Sequence, residues 1–259
     1  MNIKKNNLQM KNCITYCLVS ILLVSCSENK QEEIEKESHP PVLTVEQMVK
    51  NHIETKLAIP SNEKYTFKIY KEQLDGDDKI DAIITVNRLN YALEIAAKSS
   101  HTAKRAEVGF IGNYNYIFFF DGGLNQISPP MAVPSTPYSE LVVQFENVTT
   151  AAYKDILVDY KIMNSNYRNY YSVMEHTPTQ VFQWKTYGNI GKSDAEILYL
   201  ELSTGSIGLA KDILIYEGNL DNATELKDAY NFKAKISKKD KLLHRFFYFE
   251  NERKYFTKK

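Results

Sequence analysis

The stretch Gln73-Leu74-Asp75-Gly76-Asp77-Asp78-Lys79-Ile80-Asp81 gathers several carboxylates into one short segment between two apolar runs. Alternate side chains of a tight loop can converge on one point, and oxygen ligands at about 2.3–2.6 Å suit a hard cation such as calcium. Left without a cation, the same carboxylates repel one another. Other chemical signatures fail. His39, His52, His101, His176 and His244 show no H-E-x-x-H spacing, so zinc chemistry has no support in the sequence and each reads as a surface or packing residue. Gly191-Lys192-Ser193 has the end of a phosphate-binding loop, but Thr186 stands where the leading glycine belongs and a strand pattern follows. No G-x-S-x-G elbow occurs. A pair of hydrolytic carboxylates stays open, because 32 acidic residues offer many pairings.

The acidic loop and the strand after it resemble the FG-GAP or VCBS repeats of extracellular β-propellers, whose loops run D-x-D-G-D-G-x-x-D before an apolar strand. The resemblance implies Asp75, Asp77 and Asp81 as calcium-ligating side chains, with the Lys79 carbonyl as a fourth donor and Gln73 at the first position. Two positions depart from the pattern: Gln73 is a neutral, poorer donor, and Asp78 replaces the second glycine. The structural alternative is a solvated turn in which Asp81 caps its strand. Asp81, Asp155 and Asp212 each open an apolar strand, 74 and 57 residues apart. Removing an 18-residue helical insertion at 89–106 makes the first interval 56. Near-equal periods predict three blade-sized sheet units. The loops Asn147 to Asp155 and Thr204 to Asp212 keep almost no acids, so one cation site at most is expected.

These residues need elements to hold them. Thr44 and Gln47 form a capping-box pair, Leu43 and Met48 stand at hydrophobic-staple positions, and Val45, Met48, Val49, Ile53 and Leu57 share one face up to Pro60. That predicts a helix within 44–59, covering one end of a sheet. A weaker helical pattern runs over 89–106. Ten further runs, from Tyr65–Lys71 to Leu243–Phe249, are rich in Tyr, Phe, Val and Ile and predict strands. Asp121-Gly122-Gly123 predicts a hairpin turn. Clustered Pro129, Pro130, Pro134 and Pro137 predict an exposed loop. The fold class expected for 44–259 is mainly β, with blade-like antiparallel units, an N-terminal helix and a helical insertion. The alternative is an α+β domain with one long curved antiparallel sheet.

The N-terminus indicates where this domain operates. Lys4, Lys5 and Lys11 precede the apolar run Ile14 to Val24, which ends in Leu23-Val24-Ser25-Cys26. A basic region, a short apolar core and a small residue before the cut describe a secretory signal, and the run is short for a bilayer span. Leu23-Val24-Ser25-Cys26 resembles the lipobox of bacterial lipoproteins. The resemblance implies removal of residues 1–25, lipidation of Cys26, and anchoring to the outer membrane on its periplasmic face or at the cell surface. Two or more acyl chains make such an anchor stable. All three cysteines lie at or before position 26, so the mature domain has no thiol for pairing or attack. The tether 26–43 holds Glu28, Glu32, Glu33, Glu35 and Glu37 against Lys30 and Lys36, and reads as a solvated spacer. It also resembles the surface-export signal of lipoproteins in some Gram-negative bacteria.

Function follows in class only. Residues 231–259 carry ten basic residues against Asp240, Glu250 and Glu252, interleaved with aromatics. Export excludes nucleic acid as the partner and leaves two readings: a lysine-guarded strand edge, or contact with anionic lipid or polysaccharide. The expected function is a lipid-anchored, non-enzymatic binding or structural module of the envelope, with an envelope protein or polysaccharide as candidate partner. The alternative is a glycan-acting hydrolase with a carboxylate pair. A cleft with two facing acids would favour the hydrolase; a surface of exposed tyrosines and Trp184 would favour binding.

Overall fold

Helix α1 (Val45–Lys56) starts where its cap dictates. Gln47 donates its backbone N–H to Thr44 Oγ1 at 3.2 Å, and Thr44 donates its own to Gln47 Oε1 at 2.8 Å. The structure is a computed structural model that describes residues 44–257. Leu43, Cys26, the leader 1–25 and the tether 26–43 lie outside the described residues. Val49 and Ile53 on the buried face of α1 pack against Ile84, Val86 and Phe118. The helix therefore covers a face of the first sheet, not its end.

Antiparallel strands make up most of the remainder. The first meander is β1 (Thr66–Glu72), β2 (Asp81–Asn87), β3 (Asn115–Asp121) and β4 (Gln126–Ile127), with β5 (Met131–Ala132) also paired to β3. The second is β6 (Val142–Glu146), β7 (Asp155–Ile162), β8 (Ser165–Met174) and β9 (Thr177–Gly188). The third is β10 (Glu196–Ser203), β11 (Asp212–Leu220), β12 (Ile236–Phe249) and β13 (Lys254–Thr257). Only Glu196↔Gly188 and Ile197↔Tyr187 join β10 to β9, so the eight-stranded sheet is two meanders hinged at one corner. The mainly-β class is thus observed. Asp81, Asp155 and Asp212 are each the first residue of their meander's second strand.

The meanders pack by their faces. Ile83, Ile117 and Phe119 of the first meet Val143, Ile156 and Val158 of the second. Leu157, Tyr170 and Phe182 on the opposite face of the second meet Ile213, Ile215 and Phe246 of the third. Strand β2 is buried along its whole length because α1 covers one of its faces and the second meander the other. An uninterrupted apolar run, Ala82-Ile83-Ile84, suits that double cover, whereas a one-sided strand would alternate.

Several expectations are revised. The helical stretch 89–106 is two helices, α2 (Leu89–Lys98) and α3 (Thr102–Gly109), broken at Ser99-Ser100-His101 and inserted between β2 and β3. The proline segment is not simply exposed: Met131 and Ala132 pair with β3, and Ser135, Thr136 and Pro137 are buried. Strand β12 begins at Ile236, seven residues before the apolar run that signals it. Its lysines are held by neighbouring strands: Lys238 reaches Glu201 at 2.7 Å and Lys241 reaches Glu217 at 2.6 Å. Lys238 also sits 3.8 Å from the Tyr216 ring centroid.

Candidate functional site: an acidic loop and a tyrosine-lined cleft

The loop 73–80 folds onto its own carboxylates. Asp81 Oδ2 accepts the Leu74 N–H and Oδ1 accepts the Gly122 N–H, both at 2.9 Å. Asp75 Oδ1 accepts the Asp77 N–H at 3.0 Å, and Asp77 Oδ1 accepts the Lys79 N–H at 2.7 Å. Gln73 donates its side-chain N–H to the Asp77 carbonyl at 2.6 Å. The β3–β4 turn nests against this loop through glycines. A Cβ at Gly122 would lie 2.2 Å from the Ile80 carbonyl oxygen, and one at Gly123 would lie 2.0 Å from Asp77 Oδ2. Burial pushes the Asp81 carboxyl above its ordinary value, against its two N–H bonds and helped by Asp75 and Asp121 nearby.

Of the sequence-derived ligand set, Asp75 alone enters a convergent grouping of His, Asp or Glu side chains among the described residues. Its companions are Asp121, at the end of β3, and His176, in the β8–β9 turn; one ligand atom from each lies within 4.8 Å of the others. Asp121 and His176 come from distant points of the chain, so no local spacing exposes them. An imidazole donor in the set suits a borderline ion better than calcium, which takes oxygens.

The strand-opening aspartates do one job in all three meanders. Asp155 Oδ2 accepts the N–H groups of Val148 at 2.9 Å and Thr149 at 2.6 Å. Asp212 accepts the Ser206 N–H at 3.3 Å and its hydroxyl at 2.7 Å, and pairs with Arg245 at 2.6 Å. Each carboxylate thus closes the loop before its strand. The loops are also tied in series: Lys154 donates its N–H to the Gln73 carbonyl at 3.0 Å, and Lys211 donates to the Val148 carbonyl at 2.8 Å.

A cleft of about 910 Å³ is lined by β1 of the first meander, β6 to β9 of the second and β10 of the third, with the segments around Tyr138 and Tyr230. Tyr65, Tyr70, Tyr138, Tyr187, Tyr199 and Tyr230 line it. Four of its six charged side chains are paired with one another. Lys68 reaches Glu140 at 2.5 Å, and Arg168 grips Asp159 with two bonds of 2.7 Å. Lys161 donates to the carbonyls of Tyr230 at 2.6 Å and Phe232 at 2.7 Å, and burial pulls its ammonium down to about 8. Hydrogen bonding to Lys68 holds the Glu140 carboxyl below its ordinary value, so it is a poor general acid. Trp184 does not line the cleft. It stacks on Phe182 at 6.0 Å and meets Phe246 at 5.0 Å, inside the packing between β9 and β12.

Comparison with protein-family models, with curated proteins and with solved structures found no match to this chain.

Proposed function

We propose that this chain is a lipid-anchored, non-catalytic envelope protein whose cleft binds a neutral, hydroxyl-rich polymer such as an envelope polysaccharide. One observation carries the reading: tyrosines line the cleft, and Lys68–Glu140 and Arg168–Asp159 in its wall are closed on each other. Aromatic faces stack on the apolar faces of sugar rings, and the polar rim supplies hydrogen bonds. A ligand would gain Lys68, Glu140, Arg168 or Asp159 as a charged partner only by breaking Lys68–Glu140 or Arg168–Asp159. The lipobox-like Leu23-Val24-Ser25-Cys26 supports delivery to the envelope, with Cys26 as the lipidated residue and outer-membrane attachment.

The hydrolase alternative has less support. Asp81 and Asp155 have raised carboxyls, as a general acid requires, but both are wholly buried and close loops.

Two measurements test the proposal. Mass spectrometry of the envelope fraction should find an acylated N-terminal Cys26, and Cys26→Ser should release the protein from membranes. Isolated envelope polysaccharide should retain the purified protein, with Tyr138→Ala and Tyr199→Ala each weakening retention about tenfold, on the order of 1–3 kcal/mol per stacked ring by analogy with base stacking. Retention unchanged in the double variant sinks the cleft assignment; an uncut, unmodified chain in the cytoplasm sinks the anchor.

A further inference from the structure

We propose that Asp75, Asp121 and His176 form a binding site for a divalent transition-metal ion of the zinc class, joining the first meander to the second. The site shares only Asp75 with the ligand set that the acidic loop suggests by itself.

Buried charge is the first ground. Asp75 is 8% exposed and Asp121 3%. Asp121 has partners for both oxygens, Leu124 N–H at 2.7 Å on Oδ1 and His176 Nδ1 at 2.7 Å on Oδ2. Asp75 does not. Its Oδ1 takes the Asp77 N–H, while no donor among the described residues reaches Oδ2 and no lysine or arginine pairs with it. Asp81, fully buried, adds a third carboxylate close by. A largely buried carboxylate with one oxygen lacking a protein donor, beside two other carboxylates, favours a cation between them.

Geometry is the second ground. Four-coordinate zinc with bonds of about 2.0–2.2 Å sets its ligand atoms roughly 3.3 Å apart. The three candidate atoms already lie within 4.8 Å of one another, and Asp121 and His176 are in direct contact. The ion would sit between the Asp121 and His176 atoms that here contact each other directly. His176 is presented by a two-residue hairpin turn in which both Glu175 and His176 have positive φ, 51° and 62°. Asn-Gly fits such a turn with less strain.

Access is the third ground. Asp75 and His176 form part of the wall of a cavity of about 570 Å³, together with Glu175 and Glu250. Three protein ligands leave a coordination position open on that side, for water or for one of these glutamates. Imidazole with carboxylates matches zinc, nickel or copper; calcium prefers oxygen alone.

The test uses the untagged full chain, stripped with chelator and titrated calorimetrically with zinc sulfate, with calcium chloride as the parallel arm. We expect one zinc per chain, a rise in melting temperature on binding, and at least a tenfold loss of affinity in His176→Ala. That side chain is half-exposed, so the variant keeps the fold, and circular dichroism checks it. Cobalt substitution should give visible absorption from a tetrahedral ion, lost in the same variant. Absence of zinc uptake up to millimolar concentration, equal zinc affinity in His176→Ala, or calcium binding tighter than zinc and indifferent to His176 would each overturn the proposal.

Discussion

Asp155 accepts the backbone N–H of Val148, seven residues upstream, at 2.9 Å, and Asp81 accepts that of Leu74 across the same interval and at the same distance. The two loops differ in nearly every other residue. What recurs is the function of the first residue of the strand: a carboxylate turned back to close the loop preceding it. Asp155 also receives the Thr149 N–H and hydroxyl. Asp155→Ala takes the acceptor from the Val148 and Thr149 N–H groups, at roughly 1–3 kcal/mol per group before relaxation. The expected loss is about 3 kcal/mol in urea denaturation, with the slope of the transition unchanged.

The same residue gives a pH signature. Burial raises the Asp155 carboxyl above its ordinary value of 3.8, outweighing the hydrogen bonds that lower it. Above 3.8 the folded chain therefore retains a proton that the unfolded chain releases. The stability contributed is fully present below 3.8 and is lost as pH rises through the folded value. Paired denaturation curves of wild type and Asp155→Asn from pH 3.5 to 7 check this. The wild type should lose stability relative to the variant as pH climbs, and a difference that stays flat contradicts it.

The local signals in the sequence correspond to local physics. Thr44 and Gln47 are three residues apart and close their own cap; Asp81, Asp155 and Asp212 stand directly before the apolar runs they anchor. Strands β4, β5 and β13 have two to four residues each, too short for any alternation to register, and form because a long neighbour offers an edge. The lysine-rich start of β12 reads as solvated chain until Glu217 on β11 and Glu201 one strand further, on β10, are in view. The Asp121–His176 contact is 55 residues long in sequence, and the cleft draws its walls from three separate meanders. Both depend on how meanders stack, which no spacing encodes. Gly122 and Gly123 are the exception: their sequence signal is a turn, and their further role is to let the acidic loop approach.

Arg88 and Glu63 join the segment after α1 to the start of α2 through two bonds of 2.7 and 2.6 Å, with side chains only 8% and 4% exposed. Removing one partner leaves a buried charge alone. Glu63→Ala should therefore lower stability by about 3–5 kcal/mol. The double variant Glu63→Leu/Arg88→Met should be clearly more stable than Glu63→Ala, because no unpaired charge remains. Thermal or urea unfolding of the three proteins decides it, and a double variant as unstable as the single would show that the pair acts through packing.

Lys161 joins the cleft to the segment that carries Tyr230. Its ammonium donates to the carbonyls of Tyr230 and Phe232, and burial lowers its pKa from 10.5 to about 8. Between these values the unfolded chain holds a proton that the folded chain has released. Lys161 therefore makes the folded state more stable as pH rises from about 8 to 10.5, relative to Lys161→Met, which cannot titrate. Above pH 8 the uncharged amine keeps fewer donors for the two carbonyls, so the segment 229–232 loosens even as the global balance improves. Hydrogen exchange at Tyr230 and Phe232, corrected for intrinsic rate, should accelerate above pH 8 in the wild type and be fast at every pH in Lys161→Met. Nitrogen NMR of the Lys161 ammonium gives the midpoint directly, and a value near 10.5 would place this side chain in water instead of against the backbone that shapes the cleft.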